Sequence, residues 1–342
     1  MSKSELASTG WKVALATAIG IGVVAWMFSR EFNPEALKGF RFDTRMIVCL
    51  FLAAAAMCGR DFGLAWRFRS ITDGDLSWKR AFQVDLMCAF TSAITPSAVG
   101  GSPAAIFYLT REGISFGRAT TLTLTTLLLD ELFFVVFCPI LVLLLPLEDL
   151  FGHGGAILGS VRVVFWTVYF AIVLYTALLY AGILWRPQAV ARTLRRIFSL
   201  RWLRRWQGGV ARMTDNMIAT SEHVRGCTRR WWLQVFGATV VSWFSRYLVV
   251  NALFWGFVPS ADGLLVFGRQ FVVWVVLMVS PTPGGSGVSE WLFSNYYGDL
   301  IGNVSMALVL AIIWRLYSYY VYLVAGAFLV PRYFRKSKTT AE

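Results

Sequence analysis

Apolar runs long enough to cross a bilayer core as helices, which takes roughly 20 residues, recur at 11–28, 46–66, 82–99, 120–145, 161–185, 231–258, 264–280 and 304–330. Six of them end in ordinary polar loops. The other two, 82–99 and 264–280, run straight into clusters of proline and glycine: Thr95-Pro96-Ser97-Ala98-Val99-Gly100-Gly101-Ser102-Pro103 and Ser280-Pro281-Thr282-Pro283-Gly284-Gly285-Ser286-Gly287-Val288-Ser289-Glu290. Proline removes a helical hydrogen bond and glycine weakens the helix, so both segments are expected to break where the clusters begin.

Composition agrees with a chain built for lipid. Of 342 residues, 57% are hydrophobic and 15% charged, with a mean hydropathy of +0.60, against about 25% charged in soluble domains. The 15 Trp, 12 Tyr and 27 Phe lie mostly in or beside the apolar runs. A nucleic-acid surface would interleave such residues with basic ones in water, so no nucleic-acid partner is expected. Four of the five cysteines fall in apolar segments, and neither they nor His153 and His223 have metal-ligand spacing, so no disulfide framework, metal or other cofactor is expected. The N-terminal run has no small-x-small cleavage site and reads as a retained span.

Net charge, +13, gives topology. The stretch 186–230 contains eleven arginines against Asp215 and Glu222, which marks it as a cytoplasmic loop. Arg332, Arg335, Lys336 and Lys338 also belong inside, yet three full crossings over 231–330 would place them outside. A re-entrant hairpin at 264–293 removes the conflict and leaves Asp262 and Asp299 outside. Upstream, Arg67, Arg69, Lys79 and Arg80 precede the first broken segment and Arg111 and Arg118 follow it, which asks for a second hairpin at about 82–110 entering from the cytoplasm. The expected fold is a single all-α polytopic membrane domain over 1–342. It has about six full transmembrane helices, two oppositely oriented re-entrant hairpins, and both termini in the cytoplasm. The loop 29–45, with Arg30, Lys38, Arg41 and Arg45, fits the outside imperfectly. Superposing Thr95-Pro96 on Thr282-Pro283 gives a faint inverted repeat, about 46–145 against about 231–330, the kind of symmetry by which transporters place a site between two broken helices.

These clusters carry a resemblance. The Ser280–Glu290 motif, and the earlier Thr95–Pro103 element leading to Tyr108 and Arg111-Glu112-Gly113, resemble the lysylphosphatidylglycerol synthase transmembrane-region family, also called the flippase-like domain family and the membrane half of multiple peptide resistance factor proteins. The resemblance covers nearly the whole chain. It implies an integral protein of the bacterial cytoplasmic (inner) membrane that moves phospholipid or another polar or polyprenyl-linked lipid between leaflets. Twelve residues follow Val330, so the aminoacyl-transferase domain of the family's synthases is not expected, and neither is enzymatic activity.

Candidate chemistry follows from charge inside the apolar runs, which needs a partner or a watery cavity. Asp130 and Glu131 lie near the centre of 120–145, Arg246 of 231–258 and Arg315 of 304–330, with Glu290 just past the second break. In one reading, Arg246 and Arg315 bind a lipid phosphate through the bidentate guanidinium fork, with Asp130, Glu131 or Glu290 pairing with them between turnovers. In the other, these are buried ion pairs that dock helices. Thr95, Pro96, Gly100, Gly101, Thr282, Pro283, Gly284, Gly285 and Gly287 would either cradle phosphate on backbone N–H groups at the hairpin tips or simply make the turns. Arg60-Asp61 and Asp85 are expected nearer the cytoplasmic face, as a local pair or as snorkelling side chains. Trp202, Trp206, Val210, Met213 and Met217 suggest an amphipathic helix on the anionic inner leaflet, or an ordinary basic loop. The partners are membrane lipids, with a homo-oligomer or a partner lipid synthase also open. Two other functions remain: an intramembrane enzyme acting on a lipid-linked substrate, and a non-transporting subunit of a lipid-modifying complex.

Overall fold

A computed structural model of the protein describes residues 43–95, 101–152, 156–200, 206–280, 282 and 284–339. Regular structure among them is wholly helical, as expected of a backbone that must satisfy its own polar groups in hydrocarbon. The long helices are α1 (Thr44–Ile71), α4 (Phe116–Leu144), α6 (Ala156–Tyr180, continued by a π turn at Ala181–Trp185), α9 (Arg229–Phe257) and the pair α13 (Val304–Arg315) and α14 (Val321–Thr339), joined by a π turn at Leu316–Tyr320. These provide five helices long and apolar enough to cross a membrane, at the positions of five of the six expected spans. The sixth, 11–28, lies outside the described residues, as do Pro96, Gly100, Pro283 and Trp202.

Between them sit shorter helices: α2 (Trp78–Ile94), α3 (Gly101–Arg111), α5 (Leu147–Phe151), α7 (Pro187–Phe198), α8 (Gln207–Gly226), α10 (Gly263–Leu277), α11 (Val288–Tyr296) and α12 (Gly298–Ile301). Side-chain caps start α2 and α10 among them, and the long helices α9 and α13. The Ser77 hydroxyl accepts from the Arg80 amide, Thr228 from Trp231, the Asp262 carboxylate from Leu264 and Leu265, and Asn303 from Met306.

Helices α1 and α9 run antiparallel in the closest contact of the fold. A Cβ on Gly63 would come within 2.7 Å of the Ser242 amide nitrogen, and one on Gly59 within 2.8 Å of the Ser245 hydroxyl. Without that side chain the backbones approach as small residues permit in membranes.

Contacts sort the remaining elements to two ends of the bundle. At one end Arg118 bonds Asp75 at 2.7 Å, His223 meets Asp73 at 2.9 Å, and Arg80 pairs with Glu112 at 3.3 Å. At the other, Arg269 joins Asp299 and the Asp149 carbonyl, and Asn251 donates to the Gly263 carbonyl. Helices α2 and α3 start and finish at the first end, α10 and α11 at the second. Their inner ends meet: the Gly284 amide donates to the Thr95 carbonyl at 3.3 Å, and the Tyr319 hydroxyl to the Ala93 carbonyl at 3.2 Å.

The basic segment, for which the sequence leaves open an amphipathic surface helix or an ordinary basic loop, is largely helical among its described residues. It holds two helices, α7 and α8, tied by Arg195 to the Thr214 hydroxyl at 2.8 Å and to Asp215 at 2.6 Å. Helix α8 packs on the start of α4, where a Cβ on Gly117 would come within 2.5 Å of the Met213 carbonyl. Val210, Met213 and Met217 are half-buried. The small Gly117 lets α8 lie down on α4, while Trp206 at the head of the same stripe stays exposed.

Candidate functional site

Where the inner ends of the two helix pairs meet, α1, α2, α3, α4, α9, α10 and the α13–α14 junction enclose a cavity of 330 Å³. Four arginines and three carboxylates line it: Arg60, Arg67, Arg246, Arg315, Asp85, Asp130 and Glu131. Such charge at membrane depth is costly unless paired or wetted, and the four guanidinium groups are treated very differently.

Arg315 is closed off. Its Nε donates to Glu290 Oε1 at 3.0 Å and one terminal nitrogen to the Gly284 carbonyl at 3.0 Å, while the guanidinium lies 4.0 Å from the centre of the Tyr319 ring. The other Glu290 oxygen, Oε2, accepts from the Gly287 amide at 2.7 Å and the Ser289 hydroxyl at 2.8 Å. Glu290 is 1% exposed. The pair thus clasps the turn before α11 to the α13–α14 junction.

Arg67 donates to Asp130 at 2.5 Å and to the Thr239 hydroxyl at 3.4 Å, and Asp130 also accepts from Trp243 Nε1 at 2.8 Å. Arg60 donates to its neighbour Asp61 at 2.5 Å, faces the Tyr322 ring at 4.8 Å and stands 3.7 Å from Asp85.

Arg246 lies against two indoles, 5.0 Å from the centre of Trp243 and 4.6 Å from that of Trp274. Among the described residues no carboxylate comes within ion-pair distance of it. Cation–π contact with tryptophan stabilises a guanidinium while leaving its N–H edge free for an acceptor.

The expected site residues therefore divide. Arg315 and Glu290 meet, as one reading has it. Asp130 does not serve Arg246 and is taken by Arg67 and Trp243. Glu131 lines the cavity, and its buried Oε2 has no hydrogen-bond partner among the described residues. Arg60 and Asp61 form the expected local pair, but with Asp85 they belong to the cavity system and are not snorkelling, because Tyr322 and Asp61 hold the guanidinium inward.

Arg67, counted by sequence as a flanking charge, is 5% exposed and faces the same cavity. Its signal lay in spacing, since seven residues after Arg60 is two helical turns along one face. Trp243 was likewise legible three residues before Arg246.

At the second tip, the backbone amides offered as a phosphate cradle are already used. That of Gly284 goes to Thr95, that of Gly285 to the Thr282 carbonyl at 3.0 Å, and that of Gly287 to Glu290. Gly284, Gly285 and Gly287 have φ of 55°, 71° and 83°, conformations glycine adopts freely. A Cβ on Gly284 would collide with the Tyr319 ring. These glycines make the turn. Gly101 opens α3 against Ser92, whose hydroxyl a Cβ would meet at 2.6 Å. The Thr95 hydroxyl donates to the Thr91 carbonyl at 2.8 Å, and Thr282 lies 3.2 Å from the Ser280 hydroxyl.

Comparison with known proteins places the whole of this site inside one family. Residues 13–326 match the family described as the lysylphosphatidylglycerol synthase TM region. The chain is also similar to a UPF0104 membrane protein of Archaeoglobus fulgidus, 24% identical over 302 residues that cover 84% of this chain and 88% of that protein. No solved structure matches the chain.

Proposed function

Because the chain belongs to the lysylphosphatidylglycerol synthase TM region family, we propose that its central cavity carries the phosphate-bearing headgroup of a membrane lipid between leaflets while the acyl chains stay in the bilayer. The observation that carries this reading is Arg246, a cavity-lining guanidinium without a carboxylate among the described residues, held on two tryptophans while Arg60, Arg67 and Arg315 are ion-paired. An anionic phosphate offers what Arg246 lacks, and a bidentate Arg–phosphate contact has both the geometry and the strength to hold it. The reading is of a transporter and not of an enzyme acting on lipid.

The topology we propose has α2–α3 and α10–α11 as re-entrant hairpins dipping in from opposite faces, the halves 46–145 and 231–330 related as inverted repeats, and both termini in the cytoplasm of a cytoplasmic membrane. Meeting of the Thr95 and Gly284 backbones supports it, since alternating access around a fixed site is built from two broken segments converging at mid-membrane.

The test is reconstitution. Vesicles containing the protein and a headgroup-labelled phosphatidylglycerol are expected to exchange label between leaflets at least tenfold faster than empty vesicles, and rates equal to those of empty vesicles overturn the proposal. For the topology, an Asp262→Cys variant is expected to react with an impermeant thiol reagent from outside the cell, and reaction from the cytoplasm alone would reverse the hairpin arrangement.

A further inference from the structure

Asp85 does not touch Arg246 in this structure, yet it is a buried cavity carboxylate whose hydrogen-bonding capacity is poorly satisfied. It is 2% exposed and its Oδ2 has no hydrogen-bond partner among the described residues. The nearest cation, Arg60, stands 3.7 Å away with that same nitrogen committed to Asp61 at 2.5 Å. Charges face Asp85 from three directions. Helix α1 presents Arg60, Asp61 and Arg67; α9 presents Arg246; α14 brings the Tyr322 hydroxyl; Cys88 lies one turn along α2 itself. Helix α3 holds its one charge, Arg111, at its far end over Tyr333.

We propose that Asp85 is a proton-binding site linked to the phosphate site at Arg246, so that lipid headgroup and proton cross the membrane together. This rests on the reading of Arg246 given above and adds the coupling ion to it.

The linkage follows from the geometry. A buried carboxylate without donors is costly as an anion, and the guanidinium groups around it offset that cost. When a phosphate neutralises Arg246, one of those offsetting charges is cancelled and the carboxylate oxygen takes up a proton from water. By reciprocity the protonated Asp85 strengthens phosphate binding by the same factor. Phosphate diester and proton together add no net charge to the cavity, so the loaded state crosses without the electrostatic cost of an unpaired anion. The Glu131 carboxyl, half-buried and beside Asp130, lacks this ring of arginines.

The experiment measures proton uptake in weakly buffered detergent solution when short-chain dihexanoyl phosphatidylglycerol is added to the purified full-length protein, with binding followed in parallel by tryptophan fluorescence. Wild-type protein is expected to take up protons on binding, to a ceiling of one per bound lipid because a single carboxyl titrates, with the fraction set by pH. Asp85→Asn is expected to bind the probe without proton uptake, and Asp85→Glu to restore the uptake. Binding by wild type with no change in proton count overturns the coupling and leaves the phosphate site standing, as does undiminished uptake by Asp85→Asn. Absence of binding by wild type overturns the phosphate reading and the coupling with it. Should Asp85→Asn fail to fold, the wild-type proton count decides the matter alone.

Discussion

Two arginines within apolar helices, Arg246 at the central cavity and Arg269 near one end of the bundle, show how differently such a charge can be held. Arg269 sits in the apolar helix α10, 1% exposed, and every one of its five N–H groups has an acceptor. The Asp149 carbonyl takes two, Asp299 takes two at 2.5 and 2.7 Å, and the Tyr296 carbonyl takes one at 2.8 Å. Tyr296 and Tyr297 complete the clasp by bonding the Leu150 and Val266 carbonyls. Toward the cavity, Phe133, Phe134, Tyr247 and Phe271 stack against one another. Arg246, in the cavity, has aromatic faces and no carboxylate among the described residues. A saturated guanidinium has nothing left to offer a ligand, whereas an unsaturated one beside a cavity has its N–H edge to offer. A place inside an apolar run, which the two share, does not separate structure from function.

The contrast is sharpened most by breaking the saturated end. Arg269→Gln removes the charge that faces Asp299 and the donors to the Asp149 and Tyr296 carbonyls, and is expected to cost about 3–5 kcal/mol, the usual penalty for removing one partner of a buried pair. Thermal unfolding in detergent measures it, and lipid exchange per folded molecule is expected to persist. Glu290→Gln comes next. It removes the charge that Arg315 faces and weakens the clasp on the tip, with a loss of about 3 kcal/mol that the double variant Glu290→Gln/Arg315→Met partly recovers because no unpaired charge then remains. A double-mutant cycle on unfolding free energies checks this, and simple additivity would mean that the pair does not act as one. Gly285→Ala is smaller still. Its Cβ meets nothing closer than 3.8 Å, so only the backbone at φ 71° resists, at about 1–2 kcal/mol. Gly284→Ala at the adjacent position should be distinctly worse. Arg246→Gln is expected to perturb folding least, by at most about 2 kcal/mol of lost cation–π contact, read in the same unfolding assay.

Much of the fold was legible in the sequence because membrane helices announce themselves by apolar length, and five of the long runs became helices where they were expected. The breaks were legible too, since Gly284, Gly285 and Gly287 all adopt backbone angles that suit glycine. What was not legible is which charges meet. Arg67 stands at the end of an apolar run, where linear reading makes it a flank, and only the helical period from Arg60 turns it inward. Arg269 lay unremarked within an apolar run because its main partners, Asp149 and Asp299, come from the short helices α5 and α12, more than a hundred and about thirty residues away. Arg246 stands out in the sequence as a charge inside an apolar run, but its lack of a carboxylate partner among the described residues depends on Arg67 having captured Asp130, a tertiary event that no local pattern encodes.

The most direct test of the account compares Arg246→Gln with Arg269→Gln in vesicles of identical composition, measuring leaflet exchange of headgroup-labelled phosphatidylglycerol per folded molecule. The account predicts that Arg246→Gln, although folded, loses at least tenfold in rate while Arg269→Gln, although less stable, keeps the wild-type rate. Wild-type exchange by a folded Arg246→Gln protein would contradict it.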